Sequence, residues 1–479
     1  MGKTNIYAQR PIYFAKKQNS MIHPLVVAAF VLTSVCLVAA FPANRRWQAL
    51  LISSLVFYYT IVGAKLLVML ALAFIIYSVS FKVKDRIHKL WWVVLLLLVP
   101  LLIAKSTEKG HHFIQYTHYL IMPQKNWHWS WWFQVIGLSY FSFNGISYLI
   151  DIKRKYIVPE KNFFLLLLYL LYFPTVFSGP LHRAKYLFAQ FKQVKITNES
   201  ISHGLRLMLW GLFKQIVIAQ RLYVFLQNLL ASPISGGYYL LLGLVFFLYL
   251  YCNFSAFVDF FQGVSQLFNV RLKDNFNHRI YLASSRQTFW QGWHKTLNEW
   301  FRDYFFFVVV KYDKKRRYTN AILLLTFLLI AVWHGFNYSL LLWGTMNGLW
   351  IILEKKVPFG KWAYPKLRKV MGVVYHLMLS SILALVFISP DIQALIQQAL
   401  NTDAYFPWQV MAGQKANLVI IMLAFGMMDY HNGQAKKQRF DDYLQGKSLW
   451  QRWFIYFKLT LCILALGKGL IIDNYYIQF

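Results

Sequence analysis

A chain of 479 residues that is 58% hydrophobic and 19% aromatic, with 14% charged residues, falls outside the usual composition of soluble globular domains. Fifty Lys and Arg against seventeen Asp and Glu give a formal charge of +33, which in a soluble protein would point to nucleic acid. Here the basic residues cluster in short segments between apolar runs, where they set topology and meet anionic headgroups, so membrane lipids and no nucleic acid are the expected partners. The three cysteines, Cys36, Cys252 and Cys462, are far apart in the chain and form neither a disulfide framework nor a metal-ligand spacing.

The apolar segments are continuous runs rather than alternating ten-residue strands, so the expected fold class is an all-α polytopic membrane protein. Residues 1–21 read as a basic tail, and 22–479 as a single membrane domain whose motif core covers about 131–355. The first run, from about Ile22 to Phe41, is followed by Arg45 and Arg46 rather than by a small-residue cleavage site, and it reads as a retained span. Runs at about 48–62, 65–81 and 90–104 follow, each near the length that crosses roughly 30 Å of hydrocarbon. The breaks at Arg45-Arg46 and from Lys82 to Lys89 suggest cytoplasmic ends. The orientation of the basic tail stays open.

The segment from Lys105 to Ser130 holds His111, His112, His118 and His128 with one nearby carboxylate, Glu108. No helix-spaced pair occurs among them, so no metal is expected, and Trp127, Trp129, Trp131 and Trp132 read as headgroup-level anchors. A span from Trp131 ends at Asp151-Ile152-Lys153-Arg154-Lys155. The run Phe163 to Phe173 then ends in Pro174 and in Ser178-Gly179-Pro180, which predicts a broken or re-entrant element beside a cavity. In the spans at about 204–230 and 237–263, Lys214 interrupts the first, while Ser255 and Asp259 share one face of the second. Such a stripe faces the bundle interior, as helix–helix glue or as part of a site.

Two tryptophan–histidine pairs draw attention next: Trp293-His294, in the amphipathic segment from Arg271 to Tyr304, and Trp333-His334, in an apolar run. An imidazole in an apolar span gives up its hydration and calls for a partner or a task. Trp293, Leu297 and Trp300 fall at i, i+4 and i+7, which predicts one helix through that segment, at the interface or oblique to it. His334 is placed near the end of a span at about 320–334, and Gly335 after it permits close approach by another backbone or a substrate. Further spans are expected at about 337–354, 369–389, 416–430 and 452–472.

In order and spacing these residues resemble a known family, the membrane-bound O-acyltransferases, in its bacterial branch of alginate and peptidoglycan O-acetyltransferases. The resemblance rests on Gly137 to Phe141 with Tyr148 to Asp151, Phe173-Pro174 with Gly179-Pro180, Gly211 to Lys214, and Phe254-Ser255 with Asp259. It continues through Asn275-Phe276-Asn277, Phe289-Trp290 with Trp293-His294, Trp300 to Tyr304, Trp333-His334-Gly335, Trp343-Gly344, Gly348 and Glu354, and ends in Tyr476 to Phe479. It implies a ring of tilted helices around a central funnel, with His334 as the catalytic histidine and His294 as the second. It also implies an acyl thioester donor, acetyl-CoA or an acyl carrier protein, on the cytoplasmic side of a bacterial cell membrane, and no bound cofactor. The acceptor would be a hydroxyl of an envelope polymer, reached directly or through an extracytoplasmic transferase or small membrane partner. Gln291-Gly292 stands where basic residues are common in the family, Asn347 where a histidine is frequent, and Phe305 to Tyr312 lacks a glycine pair. The last departure resembles the branch that transfers D-alanine to teichoic acid.

Acyl transfer to a hydroxyl needs a base and donors for an oxyanion. His334 fits the base, and His294 a relay or a group that orients the thioester. Asn275, Asn277, Trp290, Trp293, Arg302, Asp303, Ser255 and Asp259 are the candidate substrate-binding residues, with a structural ion pair as the other reading of Arg302 and Asp303. A transporter or lipid-binding scaffold is the competing class, yet no internal repeat of the kind it predicts is seen. An acyltransferase acting on lipid or protein hydroxyls is a further alternative.

Overall fold

The structure is a computed structural model that describes residues 24–83, 87–109, 135–175, 179–232, 234–356, 365–401, 405–436 and 438–468. The basic tail, the four histidines with their neighbouring tryptophans, Ser178 and the terminal Tyr476 to Phe479 lie outside the described residues. Among those described, all regular structure is helical.

The helix Tyr239–Leu267 is the axis of the molecule. Its 29 residues are mostly apolar and nearly all buried, with a polar stripe through Ser255 and Asp259, as expected of a helix enclosed by others rather than lying at a surface. At 1.5 Å per residue it runs about 43 Å, enough to cross hydrocarbon with some tilt. Asn198–Leu212 packs along one side of it and Pro365–Ile388 along another. The first contact is close because Gly204 and Gly263 face each other. A Cβ on Gly263 would lie 2.6 Å from the Gly204 oxygen, and one on Gly204 would lie 2.7 Å from the Gly263 oxygen. Small residues at a crossing let backbones approach where apolar burial alone gives no preference between helix and lipid.

Asn198–Leu212 starts at a capping box between Thr197 and Ser200. It continues through a π-helical turn, Phe213–Ala219, into Gln220–Ala231. The expected breaks elsewhere are also present. Phe163–Leu170 has only eight residues, capped by the Asn162 side chain, roughly 12 Å of helix. A 3-10 turn at Phe173–Thr175 follows it. Such a short element survives at membrane depth by being buried in protein, and Tyr169 and Tyr172 tie it inward to the His182 oxygen (2.9 Å) and Ser265 Oγ (2.8 Å).

Thr319–His334 and Tyr338–Lys356 form an antiparallel hairpin. Its open end carries Lys314, Lys315, Arg316 and Arg317 on one arm and Lys355 and Lys356 on the other, and its tip is His334-Gly335. Five helical stretches are long and apolar enough to cross a membrane, Ala43–Ser80, Asn198–Ala231, Gly236–Leu267, Pro365–Ile388 and Leu449–Leu466, and four shorter apolar helices accompany them. Leu67, Phe74, Trp92, Met378, Leu423, Trp450 and Phe457 are exposed, an outer surface suited to lipid.

One expectation fails. The segment through Trp293, Leu297 and Trp300 is two short helices, Arg286–Gly292 and Lys295–Phe301. Trp293 between them is extended and His294 is left-handed, with φ 46°. The helical spacing of the apolar residues was a poor guide because side chains outside the stripe satisfy the broken backbone. Asn298 Nδ2 donates to the oxygens of Trp290 (2.8 Å) and Trp293 (2.6 Å), while Asn275 Oδ1 accepts the Thr296 N–H (3.2 Å).

Candidate active site around Trp333

His334 is the last residue of its helix and is buried, at 3% exposure. Its ring meets Trp333 at 4.6 Å, Phe387 at 5.2 Å and Trp343 at 5.5 Å between centroids, the last two nearly edge-on. Aromatic side chains thus wall the imidazole on three sides. A Cβ on Gly335 would meet only Leu340 Cδ1, at 3.1 Å, so no neighbouring backbone approaches there.

His294 is buried too, at 1% exposure. It packs on Phe254 (5.0 Å) and on Trp333 (6.2 Å). The two imidazoles therefore share one tryptophan, though forty residues of sequence separate them. The left-handed backbone at His294 turns its side chain inward at the junction of the two short helices. Its Nδ1 lies 3.3 Å from Asn275 Oδ1 and its Nε2 3.4 Å from Tyr140 Oη. Burial pushes its pKa down to about 3, so the ring is neutral at neutral pH.

An aromatic layer extends from Trp333. Phe143 stacks beside it at 6.1 Å and on Trp300 at 4.1 Å, and Trp300 Nε1 donates to the Phe143 oxygen (3.0 Å). Trp290 lies on the other flank against Trp343 (5.8 Å) and Phe327 (5.2 Å). Its Nε1 donates to Asn347 Oδ1 (3.0 Å), which also accepts from Arg286 Nε (2.8 Å). The buried Arg286 further donates to Ser380 Oγ (3.1 Å) and lies over the Phe289 ring (4.2 Å). Glu354 accepts the N–H groups of Arg286 (2.7 Å) and Gln287 (3.1 Å), so a carboxylate meets the positive end of helix Arg286–Gly292. Trp293 sits in a cluster of Phe289, Phe276 and Phe254.

The remaining candidates fall into other places. Asn275 and Asn277 bind the loop before Tyr281 to the histidine junction, with Asn275 O accepting from Lys295 N–H (2.9 Å) and Asn277 N–H donating to Gly292 O (2.8 Å). Ser255 and Asp259 share one face as expected, and both meet the buried Lys214 Nζ, at 3.0 Å and 2.7 Å. With Asn275, Asn277, Asp274 and Arg439 they line a polar cavity of about 40 Å³, room for a water or two. Arg302 and Asp303 pair with each other (2.8 Å), and Asp303 also takes Arg183 (2.6 Å). The Arg183 guanidinium lies over Tyr304 (4.1 Å), whose hydroxyl donates to Asp151 (2.8 Å). Tyr304 also packs on Trp300 at 5.4 Å, so this ion-pair network borders the aromatic layer beside Trp333.

Sequence reasoning missed Tyr140, Arg286 and Lys214 as members of these clusters. The signal was there for the two cations, because a charge inside an aromatic or apolar run needs a buried partner. Tyr140 carries no such mark. His203, Asp441 and Asp442 bring ligand atoms within 4.8 Å of one another. Arg439 already clasps both Asp441 oxygens (3.0 and 2.6 Å), however, and Arg271 meets Asp442 (2.6 Å), so these are ion pairs rather than an open ligand set.

The chain is similar to several known proteins. The chain is 27% identical over 310 residues to a probable alginate O-acetylase of Pseudomonas aeruginosa, covering 62% of this chain and 59% of that one. It is 26% identical over 369 residues to a peptidoglycan O-acetyltransferase of Helicobacter pylori, covering 68% of each. It is 27% identical over 229 residues to a teichoic acid D-alanyltransferase of Bacillus subtilis, covering 45% of this chain and 57% of that one. The matches to alginate O-acetylases span 50% to 60% of those proteins' lengths. The family model of the membrane-bound O-acyltransferases matches residues 53–360, more than half of the sequence, and this chain belongs to that family.

Proposed function

We propose that this protein is an O-acyltransferase of a bacterial cytoplasmic membrane. It passes an acyl group, acetyl in our reading, from a cytoplasmic thioester to hydroxyls of an envelope polysaccharide or polymer. The donor is acetyl-CoA or an acyl carrier protein, and an extracytoplasmic transferase or small membrane protein completes delivery. The observation that carries this reading is the pair of buried imidazoles, His294 and His334, packed on one tryptophan at the tip of a hairpin whose open end is basic. By the positive-inside rule that open end faces the cytoplasm, and His334 lies 16 residues of helix away from it, about 24 Å, within the apolar zone.

In this mechanism His334 takes the proton of the attacking hydroxyl as the oxygen bonds to the acyl carbon. The tetrahedral intermediate then expels the thiolate, which leaves as the thiol. A neutral imidazole in an apolar pocket suits the first step because burial keeps its lone pair free. His294, which packs on the same Trp333, assists in passing the proton held by His334 to the leaving thiolate. The alginate and peptidoglycan O-acetylases among the relatives favour acetyl; the teichoic acid D-alanyltransferase makes D-alanine the second reading.

Cells fed labelled acetate or labelled D-alanine decide between them through the mild-base-releasable label in their envelope polymers. Wild type incorporates acetate, and His334→Ala and His294→Ala lose it while the protein still inserts, the former by on the order of a hundredfold or more. Unchanged acylation in both variants, in cells without a paralogue, rejects the reading and moves a transport role to the front.

A further inference from the structure

Neutral imidazole has two tautomers, and only the one whose lone pair faces the reaction can take a proton there. For His294 the choice is made by a neighbour whose own orientation is fixed. Asn275 is buried, and its Oδ1 receives both the Thr296 N–H (3.2 Å) and the Thr296 hydroxyl (2.9 Å). That hydroxyl accepts from the Leu181 N–H (2.9 Å), so its proton is directed at Asn275. Turning the amide over would set an NH2 group against a backbone N–H, donor against donor. The atom 3.3 Å from His294 Nδ1 is therefore the carbonyl oxygen, an acceptor only, and Nδ1 must be the protonated nitrogen. The lone pair is then on Nε2, which faces the Tyr140 hydroxyl at 3.4 Å.

We propose that Asn275 is a positioning residue that holds His294 in the Nδ1–H tautomer, and that Tyr140 is the hydroxyl partner of its Nε2. The use made of that tautomer rests on the acyl-transfer reading of His294; the tautomer itself does not. The oxygen of Asn275 is occupied by the histidine junction, which leaves its Nδ2 as the group that could meet a ligand. Its Nδ2 has no hydrogen-bond partner among the described residues, and Asn275 lines the polar cavity shared with Lys214 and Asp259. The amide thus stands between that cavity and the imidazole.

The test is solid-state NMR of the full chain in lipid bilayers with ring-¹⁵N histidine, His294 being assigned by its loss in His294→Gln. In wild type the His294 signals show Nδ1 protonated and Nε2 bare. Asn275→Asp, which keeps an acceptor, preserves that state. Asn275→Leu lets the proton move to Nε2, and Tyr140→Phe shifts the Nε2 resonance alone. An Nε2-protonated ring in wild type, or an unchanged spectrum in Asn275→Leu, overturns the proposal. Wild type and Asn275→Asp keep it open to rejection should the leucine variant not fold. In the labelling assay Asn275→Leu lowers transfer roughly ten- to a hundredfold, the size seen when a group that orients a functional imidazole is removed. A tautomer that moves as described with no change in transfer leaves the positioning intact and rejects the role given to His294 in acyl transfer.

Discussion

At the scale of single residues the molecule keeps several imidazoles neutral by burial, and this makes it acid-sensitive. His182 Nδ1 meets the Pro180 oxygen at 2.6 Å, and its Nε2 accepts the Lys273 N–H at 2.8 Å. Both nitrogens are thus satisfied in one neutral tautomer, and a second ring proton would face an N–H. Burial pushes the pKa of His182 and of His294 from 6.5 down to about 3. A folded-state pKa below the unfolded one means that the unfolded chain binds the extra proton, so folding loses stability as pH falls below 6.5. The loss is roughly 1.4 kcal/mol per pH unit for each group, about 2 kcal/mol each by pH 5. Thermal unfolding of the purified protein should shift to lower temperature between pH 7 and 5, and less so in His182→Asn. Parallel curves for the two proteins would show that His182 is not a source of the sensitivity.

At the scale of elements, geometry at crossings outweighs the apolar content of each helix. The spanning helices are apolar enough to prefer lipid, so what selects partners among them is close fit and buried polar pairing. Gly263→Ala places a methyl group against the Gly204 oxygen and against Met208 N, at 2.6 and 2.8 Å. Backbone cannot yield as a side-chain tip can, and overpacking of this sort costs about 1–3 kcal/mol. The same crossing is pinned by Lys214 with Asp259. Removing one member strands the other, whereas removing both does not. Asp259→Leu alone should therefore lower the melting temperature more than the double change Lys214→Met with Asp259→Leu. Equal losses would mean that Lys214 finds water instead.

For the whole molecule, the far end of the chain is clamped to the axis by a buried ionic cluster. Arg439 clasps Asp441, which also meets His203 Nδ1 at 2.8 Å on the helix Asn198–Leu212. Arg439 reaches the Leu272 oxygen as well, at 3.5 Å. Burial alone would raise the Asp441 pKa, but the hydrogen bonds and charge of Arg439 hold it below the usual carboxylate range. The clamp is present above the unfolded carboxylate pKa and lost as pH falls through the folded one. Asp441→Asn leaves the Arg439 charge buried without its counter-ion, a loss of about 3–5 kcal/mol, and should expose the segment after Ala435 to limited proteolysis. Protection equal to wild type would place the clamp elsewhere.

The sequence by itself determined the class and the approximate places of the apolar helices, and it singled out two histidines in apolar surroundings. Continuous apolar runs, basic interruptions and an imidazole in an apolar span are each dictated by solvation, which acts residue by residue and needs no knowledge of neighbours. Pro174 and Gly179 likewise announced a broken element because proline and glycine act on their own backbone. Tertiary structure alone decided that His294 and His334 share Trp333, that Trp293-His294 breaks a helix the apolar spacing favoured, and that Arg302 and Asp303 join Arg183 rather than the histidines. It also turned Asn275 toward an imidazole ring and set Tyr140 opposite. These outcomes depend on hydrogen-bond partners and aromatic contacts distant in the chain, and a donor or a ring has no preferred partner until packing brings one within reach.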